Sequence, residues 1–258
     1  MPKGGLPNVS STQTELGEQD KTFFKENGYL VKQDTLSEAQ VDAALDEIWK
    51  HIEADRADPE SWFEAGPVFP KCGETQPMLD LLYASPIHAM AEQLVGTDLT
   101  RPNTFGPKLN FPSGETEWSA PGGHLDGYYT PTNGVPEGTV GRFFVGVTLY
   151  LSHQRPTGGG FTVWPGTHLQ AAQYFRTNSM LKPKGGNVKD VFDVPEPVEI
   201  TGPPGTVCFW HGSLVHAASK NCRNEIRMCL ITRLNRHNHE DILFEFPENP
   251  WEYWPALQ

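Results

Sequence analysis

The sequence is poor in basic residues and has no long apolar run. Its 258 residues include 20 Lys and Arg against 32 Asp and Glu, and the formal net charge is −12. Nucleic acids and anionic membrane surfaces are bound by basic patches, so this composition argues against both as partners. No apolar run approaches the ~20 residues of a membrane-spanning helix, and the polar N-terminal stretch lacks the apolar core of a signal peptide. The partner that we expect is a small molecule.

Cysteine is also scarce in this chain. The four cysteines are Cys72, Cys208, Cys222 and Cys229, and no two of them form a Cys-x-x-Cys pair. In a chain of this length, such isolated cysteines are typical of free thiols in a reducing compartment. We therefore predict a cytoplasmic protein.

The distribution of residue types predicts one domain with four parts. Residues 1–18 form a loose arm rich in Gly, Pro, Ser and Thr, and residues 19–100 form a helical flank. Residues 101–236 form a β-rich core, and residues 237–258 form a C-terminal extension. The chain shows no internal repeats and no second core, and a single all-β domain of this size is ordinary.

The helical flank carries three helical signals. The first spans 19–27 and stops at Gly28, before a short β-rich run over 29–32. The second begins at Ser37, which starts a capping-box pattern followed by apolar residues at helical spacing. The third covers 78–94 and is interrupted by a proline. These helices are expected to support a sheet from outside.

From Thr104 onward, short β-rich runs alternate with Gly- and Pro-rich turns. Several short strands with such punctuation favour a mainly β fold with flanking helices, arranged as a jelly-roll. The six clearest runs are 143–151, 160–164, 198–200, 206–210, 214–218 and 226–234.

The most informative motif lies in a Gly- and aromatic-rich stretch over 121–129, where His124 is followed two residues later by Asp126. At a strand end, residues two apart share one face, so both side chains can reach one ion. With a second histidine they form the ligand set of the facial triad, which holds Fe(II) and leaves coordination positions open. The motif therefore predicts a non-haem iron oxygenase.

Other His-x-carboxylate pairs are weaker metal candidates. His51 and Glu53 fall on the predicted amphipathic helix, where residues two apart project in different directions. His239 and Asp241 lie in a polar, charged stretch that is typical of a solvated face. The strongest rival is the His-Asn-His-Glu stretch over 237–240, which offers two imidazoles and a carboxylate but is not preceded by an apolar strand.

Three histidines are candidates for the remaining ligand. Leu214, His216 and Ala218 alternate along a β-rich run, so His216 can face inward and is preferred. His211 precedes a Gly-Ser pair and is interpreted as holding a turn by hydrogen bonding. His168 is interpreted as lying on a tight turn after a β-rich run, and both a turn-fixing role and a position behind the metal ligands remain open.

Arg227 lies on the last β-rich run. Alternation puts Arg227, Cys229 and Ile231 on one face and the apolar residues between them on the other. A guanidinium on a half-buried strand requires a bidentate anionic partner to offset its desolvation. That partner is either a co-substrate bound to the iron or an Asp or Glu in a structural salt bridge.

These residues resemble the phytanoyl-CoA dioxygenase family of Fe(II)/2-oxoglutarate oxygenases. The resemblance covers roughly 108–232, together with the segment over 24–30 and the helix after it. It implies a double-stranded β-helix fold with Fe(II), 2-oxoglutarate and O2 as cofactors. It also implies iron on His124, Asp126 and His216, and Arg227 on the C5 carboxylate of 2-oxoglutarate. The pieces that carry it are His124-x-Asp126, the stretch over 158–168, and the series Trp210, His211, His216, Asn221 and Arg227.

The sequence departs from the family pattern at two positions. Many members carry a Lys ahead of the His-x-Asp motif; the corresponding stretch here contains Asn110, whose amide is predicted to donate to 2-oxoglutarate or to cap a strand end. Two residues past the distal histidine, Ala218 stands where the family often has Ser. Thr148 is predicted to replace that contact if the even positions of 143–151 face inward.

Aromatic residues beside the motif are candidates for the substrate pocket. Tyr128 and Tyr129 directly follow the ligand loop, and Trp164 ends a β-rich run. Packing in the core is the alternative for each of them. His168 and His211 are placed behind the metal ligands, as supports for their orientation.

The resemblance implies oxidative decarboxylation of 2-oxoglutarate to succinate and CO2, coupled to hydroxylation of an unactivated C–H bond of a small organic substrate. A cupin-type isomerase or dioxygenase without co-substrate is one alternative, against which Arg227 counts. A non-catalytic jelly-roll binding protein is the other, and it has no use for a costly ionisable triad. Substrate choice is expected to depend on Tyr128, on Tyr129 and on the loops over 130–139 and 183–191, because loops on a rigid scaffold border the open face.

Overall fold

The computed structural model describes residues 15–128, 135–178 and 188–258. Within these ranges, eight strands form two antiparallel sheets. The strands are β1 (Tyr29–Lys32), β2 (Gly106–Asn110), β3 (Val145–Tyr150), β4 (Phe161–Val163), β5 (Val198–Glu199), β6 (Val207–His211), β7 (His216–Ala218) and β8 (Arg227–Leu234). The larger sheet has the order β1-β6-β3-β8-β2, and the smaller has the order β5-β4-β7.

Four of the six described α-helices precede β2 in the chain. Three short 3-10 helices cover Pro59–Trp62, Val188–Asp190 and Pro255–Leu257. The α-helices are α1 (Glu18–Asn27), α2 (Glu38–Trp49), α3 (Gln76–Tyr83), α4 (Ile87–Val95), α5 (Thr167–Phe175) and α6 (His239–Ile242).

The predicted mainly β fold with flanking helices is confirmed, as two packed sheets rather than a closed barrel. Tyr150 and Trp210 of the larger sheet share one buried cluster with Phe161 and Val163 of the smaller sheet. The opposite face of the larger sheet packs against the helices in a separate, larger core. The space between the sheets is therefore enclosed by side chains of both.

Strand β3 shows how the sequence divides these two faces. Val147 and its odd-numbered neighbours pack in the core against the helices, whereas Tyr150 packs between the sheets. Thr148 lies on the same face as Tyr150, because successive strand residues point to opposite sides. The predicted inward orientation of the even positions is thus confirmed.

The helical signals of the flank are confirmed at their boundaries. Gly28 ends α1 with a φ of 78°, in the left-handed region that glycine tolerates, and its N–H donates to the Phe24 carbonyl at 2.8 Å. Ser37 caps α2 by accepting a hydrogen bond from the backbone N–H of Gln40. The third signal divides into α3 and α4 at Pro86.

Two local predictions were wrong. Helix α2 ends at Trp49, so His51 lies beyond the helix rather than on it. His168 lies in the first turn of α5 rather than on an isolated tight turn. Helix α5 begins after Gly166, which has no capping side chain, and it carries no acidic residue in its first turn. The usual sequence signals of a helix start are therefore missing there.

Within the described ranges, the helices are too short or too polar to cross a lipid bilayer.

Candidate metal centre

Three ionisable side chains meet at the start of β7. His124, Asp126 and His216 each offer one ligand atom, and the three atoms lie within 4.8 Å of one another. His124 Nε2 is 3.8 Å from Asp126 Oδ1, and His216 Nε2 is 3.7 Å from Asp126 Oδ2. Two imidazoles and one carboxylate, converging on one point, fit the donor set of a non-haem Fe(II) site. The structure thus brings together the three side chains that the sequence proposed as ligands.

The rival motif over 237–240 does not form such a cluster. His239 Nε2 contacts the backbone carbonyl oxygen of Arg142, and His237 is exposed. Among the residues that the structure describes, the His-Asp-His group is the one set of three potential ligands close enough to share an ion.

A backbone bridge holds the two histidines opposite each other. His124 N donates to His216 O and His216 N donates to His124 O, both at 3.0 Å. The side chain of Asp126, two residues further along, meets that of His124, as the strand-end spacing predicts. Gly127 follows with a φ of 92°, and a Cβ at this position would lie 1.7 Å from the Gly141 carbonyl oxygen. Only glycine allows the chain to turn this closely beside the carboxylate.

The environment of His216 prepares its ring for a metal. Its Nδ1 lies 2.9 Å from the Leu214 carbonyl oxygen, and since a carbonyl only accepts, Nδ1 carries the proton and Nε2 is free to coordinate. The Trp210 and Phe161 rings flank it at centroid distances of 4.4 and 5.4 Å. Burial lowers the pKa of His216 to about 4 although Asp126 opposes the change. The imidazole is therefore neutral at pH 7.

Gly146 makes room for the indole that packs against His216. A Cβ at Gly146 would lie 2.1 Å from Cε2 of Trp210, so Gly146→Ala must displace that ring. We expect a loss of roughly 1–3 kcal/mol in the free energy of unfolding, as in other overpacked cores, together with weaker metal binding. Chemical denaturation and a metal titration measure the two effects. Gly122→Ala is the matched control, since a Cβ there meets no atom within 4 Å; equal stability of both variants would contradict the packing argument.

A guanidinium that the sequence reasoning missed binds the carboxylate ligand. Arg233 Nε donates to Asp126 Oδ2 at 3.0 Å, and Arg233 Nη2 donates to the same oxygen. Burial raises the pKa of Asp126, but the charges of His216, Arg233 and His124 lower it by more, so the net pKa is lowered. The carboxylate is therefore ionised, as a metal ligand must be. Arg233 lies six residues after Arg227 on β8. The same alternation that places Arg227 inward therefore also puts Arg233 on the inward face.

Arg233 is expected to act as a positioning residue for the carboxylate ligand. By holding Oδ2, it directs Oδ1 towards His124. Loss of a group that orients a ligand typically lowers metal affinity by roughly 10–100-fold, and we expect this from Arg233→Gln in a competitive metal titration. Arg223→Gln, on an exposed side chain, should leave the affinity unchanged. An Arg233→Gln protein with wild-type affinity would show that the ion pair does not orient the ligand.

Arg227 lies at the other end of the inward face of β8. It is buried, and its Nε has no hydrogen-bond partner. Among the described residues, no carboxylate lies within 4.0 Å of this guanidinium, so the alternative of a structural salt bridge finds no partner there. Cys229 and Ile231 share its face and pack between the sheets, as predicted.

The two predicted auxiliary contacts to 2-oxoglutarate differ in outcome. Asn110 Nδ2 donates to the Ser219 carbonyl at 2.8 Å and to the Gly159 carbonyl at 3.4 Å. Its amide hydrogens are therefore engaged at the strand end, which favours the capping alternative over donation to a co-substrate. Thr148 is buried and its Oγ1 accepts from Trp210 Nε1 at 3.1 Å, so it holds the indole beside the metal ligand. A contact from Thr148 to 2-oxoglutarate stays a prediction.

The two histidines predicted behind the ligands make their polar contacts elsewhere. His211 Nδ1 accepts the backbone N–H of Ser213 at 3.0 Å, which confirms the turn-holding role. Its ring stacks on Trp254 at a centroid distance of 4.9 Å. His168 Nε2 lies 3.1 Å from the Lys25 carbonyl oxygen. His211 also lies on the helix-facing side of β6, with Phe209. The polar contacts of both histidines are therefore to backbone groups away from the metal ligands. The prediction that they support the ligands is corrected on this point.

A cavity of about 820 Å³ opens beside Asp126. Tyr128 lines it, where burial raises the pKa of its phenol. The described residues around the cavity are Leu125, Asp126, Gly127, Tyr128, Val135, Gly141, Arg142, Phe143, Arg233, His239, Glu240 and Leu243. A site of this volume accommodates a small organic molecule.

The other predicted pocket residues are placed differently. Trp164 is buried and packs with Val215 and Ala217 rather than lining this cavity, so the core-packing alternative holds for it. Tyr129 lies outside the described residues. The loop over 183–191 is described only from Val188 onward, so the predicted part of these two segments in substrate choice stays a prediction.

Comparison with known proteins is consistent with this geometry. Residues 24–229 match the family model described as phytanoyl-CoA dioxygenase (PhyH). No curated protein sequence matches the chain.

Solved structures share the fold at low sequence identity. The non-heme alpha ketoglutarate dependent carbocyclase SnoK from nogalamycin biosynthesis is 21% identical, with a TM-score of 0.62 over 87% of this chain and 86% of that chain. The epimerase SnoN from the same biosynthesis is 22% identical, with a TM-score of 0.57 over 85% and 82%. HygX from Streptomyces hygroscopicus, with nickel and 2-oxoglutarate bound, is 16% identical, with a TM-score of 0.54 over 86% and 88%.

Proposed function

We propose that this chain hydroxylates an unactivated C–H bond of a small organic substrate. The premise is that it belongs to the phytanoyl-CoA dioxygenase family and is a non-haem Fe(II)- and 2-oxoglutarate-dependent enzyme. Its cofactors are Fe(II), 2-oxoglutarate and O2. The co-products of the proposed reaction are succinate and CO2. The observation that carries the proposal is the combination of a three-ligand metal site with the buried guanidinium of Arg227, which has no anionic partner among the described residues. The inward face of β8 connects the two.

His124, Asp126 and His216 would hold the iron in this reaction. When bound, the metal supplies the coupled oxidation of 2-oxoglutarate and of the substrate by O2. The protein positions the reactants and excludes water. Neutral His216 and ionised Asp126 are the protonation states that ligation requires, and Trp210 shields the His216 ring from solvent.

Arg227 would bind the far carboxylate of 2-oxoglutarate. A buried cation is costly unless an anion pairs with it, and its neighbours among the described residues do not supply one. Burial raises the pKa of Tyr150 although the Arg227 charge opposes the rise, so this phenol stays protonated. Burial also raises the pKa of the Cys229 thiol. A dicarboxylate held between the iron and Arg227 would meet the need for an anion.

Arg233 and Arg227 mark the two ends of this arrangement. They lie six residues apart on the inward face of β8, which at about 3.3 Å per residue corresponds to roughly 20 Å between their Cα atoms. Both side chains are long, and the iron ligands lie at the Arg233 end. Cys229 and Ile231 lie on this face between the two arginines.

Succinate formation tests the proposal. Purified protein with Fe(II) and 2-oxoglutarate should release succinate slowly without prime substrate, and His216→Ala should release none. Absence of succinate from wild-type protein that binds iron would favour a cupin-type enzyme without co-substrate. Absence of iron binding would favour a non-catalytic binding protein.

Product analysis then tests hydroxylation itself. Two of the similar structures are a carbocyclase and an epimerase, so the same fold carries out other oxidative outcomes. A metabolite screen that follows succinate release identifies the substrate, and mass spectrometry follows its fate. Gain of one oxygen atom supports hydroxylation. Loss of hydrogen indicates ring closure or desaturation, and an unchanged mass indicates epimerisation.

A further inference from the structure

We propose that Arg233 selects a prime substrate that carries a carboxylate, and that this carboxylate binds the outer edge of its guanidinium in the cavity beside Asp126. This inference rests on the proposed function, because it assigns that cavity to the substrate of the oxygenase. It goes further by naming the chemical class of the substrate and the residue that recognises it.

The guanidinium of Arg233 has one edge engaged and one edge open. Its Nε and Nη2 both donate to Asp126 Oδ2, so the inner edge, which these two nitrogens form, faces the metal ligand. The outer edge consists of Nη1 and the second hydrogen of Nη2. The part of the chain that the structure describes supplies no second carboxylate and no hydrogen-bond acceptor to this edge. Two parallel N–H groups form the fork that matches the two oxygens of a carboxylate.

The outer edge is accessible from the cavity. Arg233 lines the cavity of about 820 Å³, and 48% of its side chain is exposed although it binds Asp126. The Phe143 ring lies against the guanidinium, with its centroid 5.3 Å away. Because Asp126 covers the inner edge and Phe143 covers one face, the surface that stays exposed includes the outer edge. A ligand in the cavity can therefore reach it.

The other charged groups of the cavity wall are placed less favourably for this role. Arg142 lines the same cavity, but its guanidinium lies over Phe144 and Tyr253, which are not part of the wall. Its Nε and Nη2 are buried there. Glu240 is an exposed anion of the wall and forms no ion pair with Arg233 within the described ranges. Arg233 is thus the exposed cation that a substrate meets.

Loading of the metal site leaves the charge of Arg233 without a full counter-charge. A bound divalent ion is the largest local charge in such a site, and it draws on the negative charge of Asp126. Under the proposed function, the two negative charges of 2-oxoglutarate are divided between the metal and Arg227. A carboxylate on the outer edge of Arg233 would complete the balance, whereas a cationic substrate would be repelled.

A carboxylate on this edge keeps the substrate next to the metal ligands. The guanidinium is hydrogen-bonded to Asp126 Oδ2, which lies 3.7 Å from His216 Nε2. Only the guanidinium itself then separates the bound group from a ligand oxygen. Apolar walls favour the carbon skeleton of a ligand, and the cavity provides such walls through Leu125, Phe143 and Leu243.

The test compares a carboxylate with its neutral isostere on loaded protein. Protein saturated with Ni(II), which does not support turnover, and with 2-oxoglutarate is titrated calorimetrically with benzoate and with benzamide. Saturating 2-oxoglutarate keeps the probes off Arg227. We expect benzoate to bind at least about tenfold more tightly than benzamide, the size of one charge-assisted pair. Equal affinities of the wild-type protein for the two probes would overturn the inference.

Variants assign the preference to Arg233. Arg233→Gln should abolish the preference for benzoate, and Ni(II) is kept in excess because this variant is expected to bind metal more weakly. Arg233→Lys should lose most of the preference, since an ammonium lacks the planar fork. The ratio of the two affinities within one protein does not depend on its overall stability. Arg56→Gln is the matched control, because Arg56 is 47% exposed and pairs with Asp46; its ratio should equal that of the wild type.

Two results with the variants would also overturn the inference. A preference that survives in Arg233→Gln would show that benzoate binds elsewhere, for example to the metal itself. A full preference in Arg233→Lys would show that charge alone, and not the fork, is recognised.

Failure of the proposed function gives a different result. In that case 2-oxoglutarate itself does not bind in the initial titration of the Ni(II) protein. A protein that binds 2-oxoglutarate and shows no preference for benzoate keeps the proposed function and loses only the carboxylate assignment.

Discussion

Replacing His216 by alanine is expected to abolish metal binding and turnover together. His216 is the buried member of the triad, and its ring is fixed by Leu214, Trp210 and Phe161. No neighbouring side chain can take over its Nε2, because the described residues contain no fourth potential ligand in the group. Metal content after reconstitution with Fe(II) under anaerobic conditions, and succinate release, measure the two effects. His124→Ala and Asp126→Ala are expected to do the same.

His211→Ala is the control for this experiment. His211 is also a buried histidine, on β6, which precedes β7 in the chain. Its Nδ1 accepts a hydrogen bond from the Ser213 amide, and its ring stacks on Trp254. Its loss should lower stability and leave one iron per chain in the folded protein. Loss of iron from His211→Ala, with iron retained by His216→Ala, would show that the wrong histidine has been assigned.

Arg227→Lys is expected to raise the KM for 2-oxoglutarate by roughly tenfold or more. Charge-assisted hydrogen bonds contribute about 1.5–3 kcal/mol, and lysine lacks the bidentate fork. Iron affinity should remain near that of the wild type, because Arg227 does not contact the three ligands. Steady-state kinetics with varied 2-oxoglutarate, together with an iron titration, separate the two quantities.

The matched control for Arg227 is Arg223→Lys. Arg223 is exposed and donates through Nε to the Pro156 carbonyl at 3.0 Å, so its replacement should not change the KM. If Arg227→Lys also left the KM unchanged, the co-substrate role would be lost, and the unpartnered Nε of this buried side chain would need another explanation.

The metal ligands could be predicted because they depend on local backbone geometry. Two-residue spacing puts His124 and Asp126 on one face, and the same alternation selects His216 from its neighbours. Alternation also placed Arg227 inward. These inferences require only the period of a strand and no knowledge of which strands are neighbours.

The missed features depend on packing between distant segments. Arg233 lies on the predicted face of β8, but its partner Asp126 is 107 residues away in the chain, and no local pattern joins them. Trp164 stands beside the motif in sequence, yet its indole packs in the core with Val215. Asn110 was predicted either to donate to a co-substrate or to cap a strand end, and its amide donates to the Ser219 carbonyl.

The cavity was the least predictable part of the site. Its walls come from the ligand loop, from the residues before β3, from β8 and from α6.

The most direct test of the central claim is an anaerobic spectroscopic titration. Fe(II) is added to the wild-type protein in the presence of 2-oxoglutarate, and the visible charge-transfer band of a chelated Fe(II)–keto acid complex is followed. The account predicts that the band appears, saturates at one iron per chain, and is absent from His216→Ala. A wild-type protein that binds iron without producing the band, or a band of full intensity in His216→Ala, would contradict it.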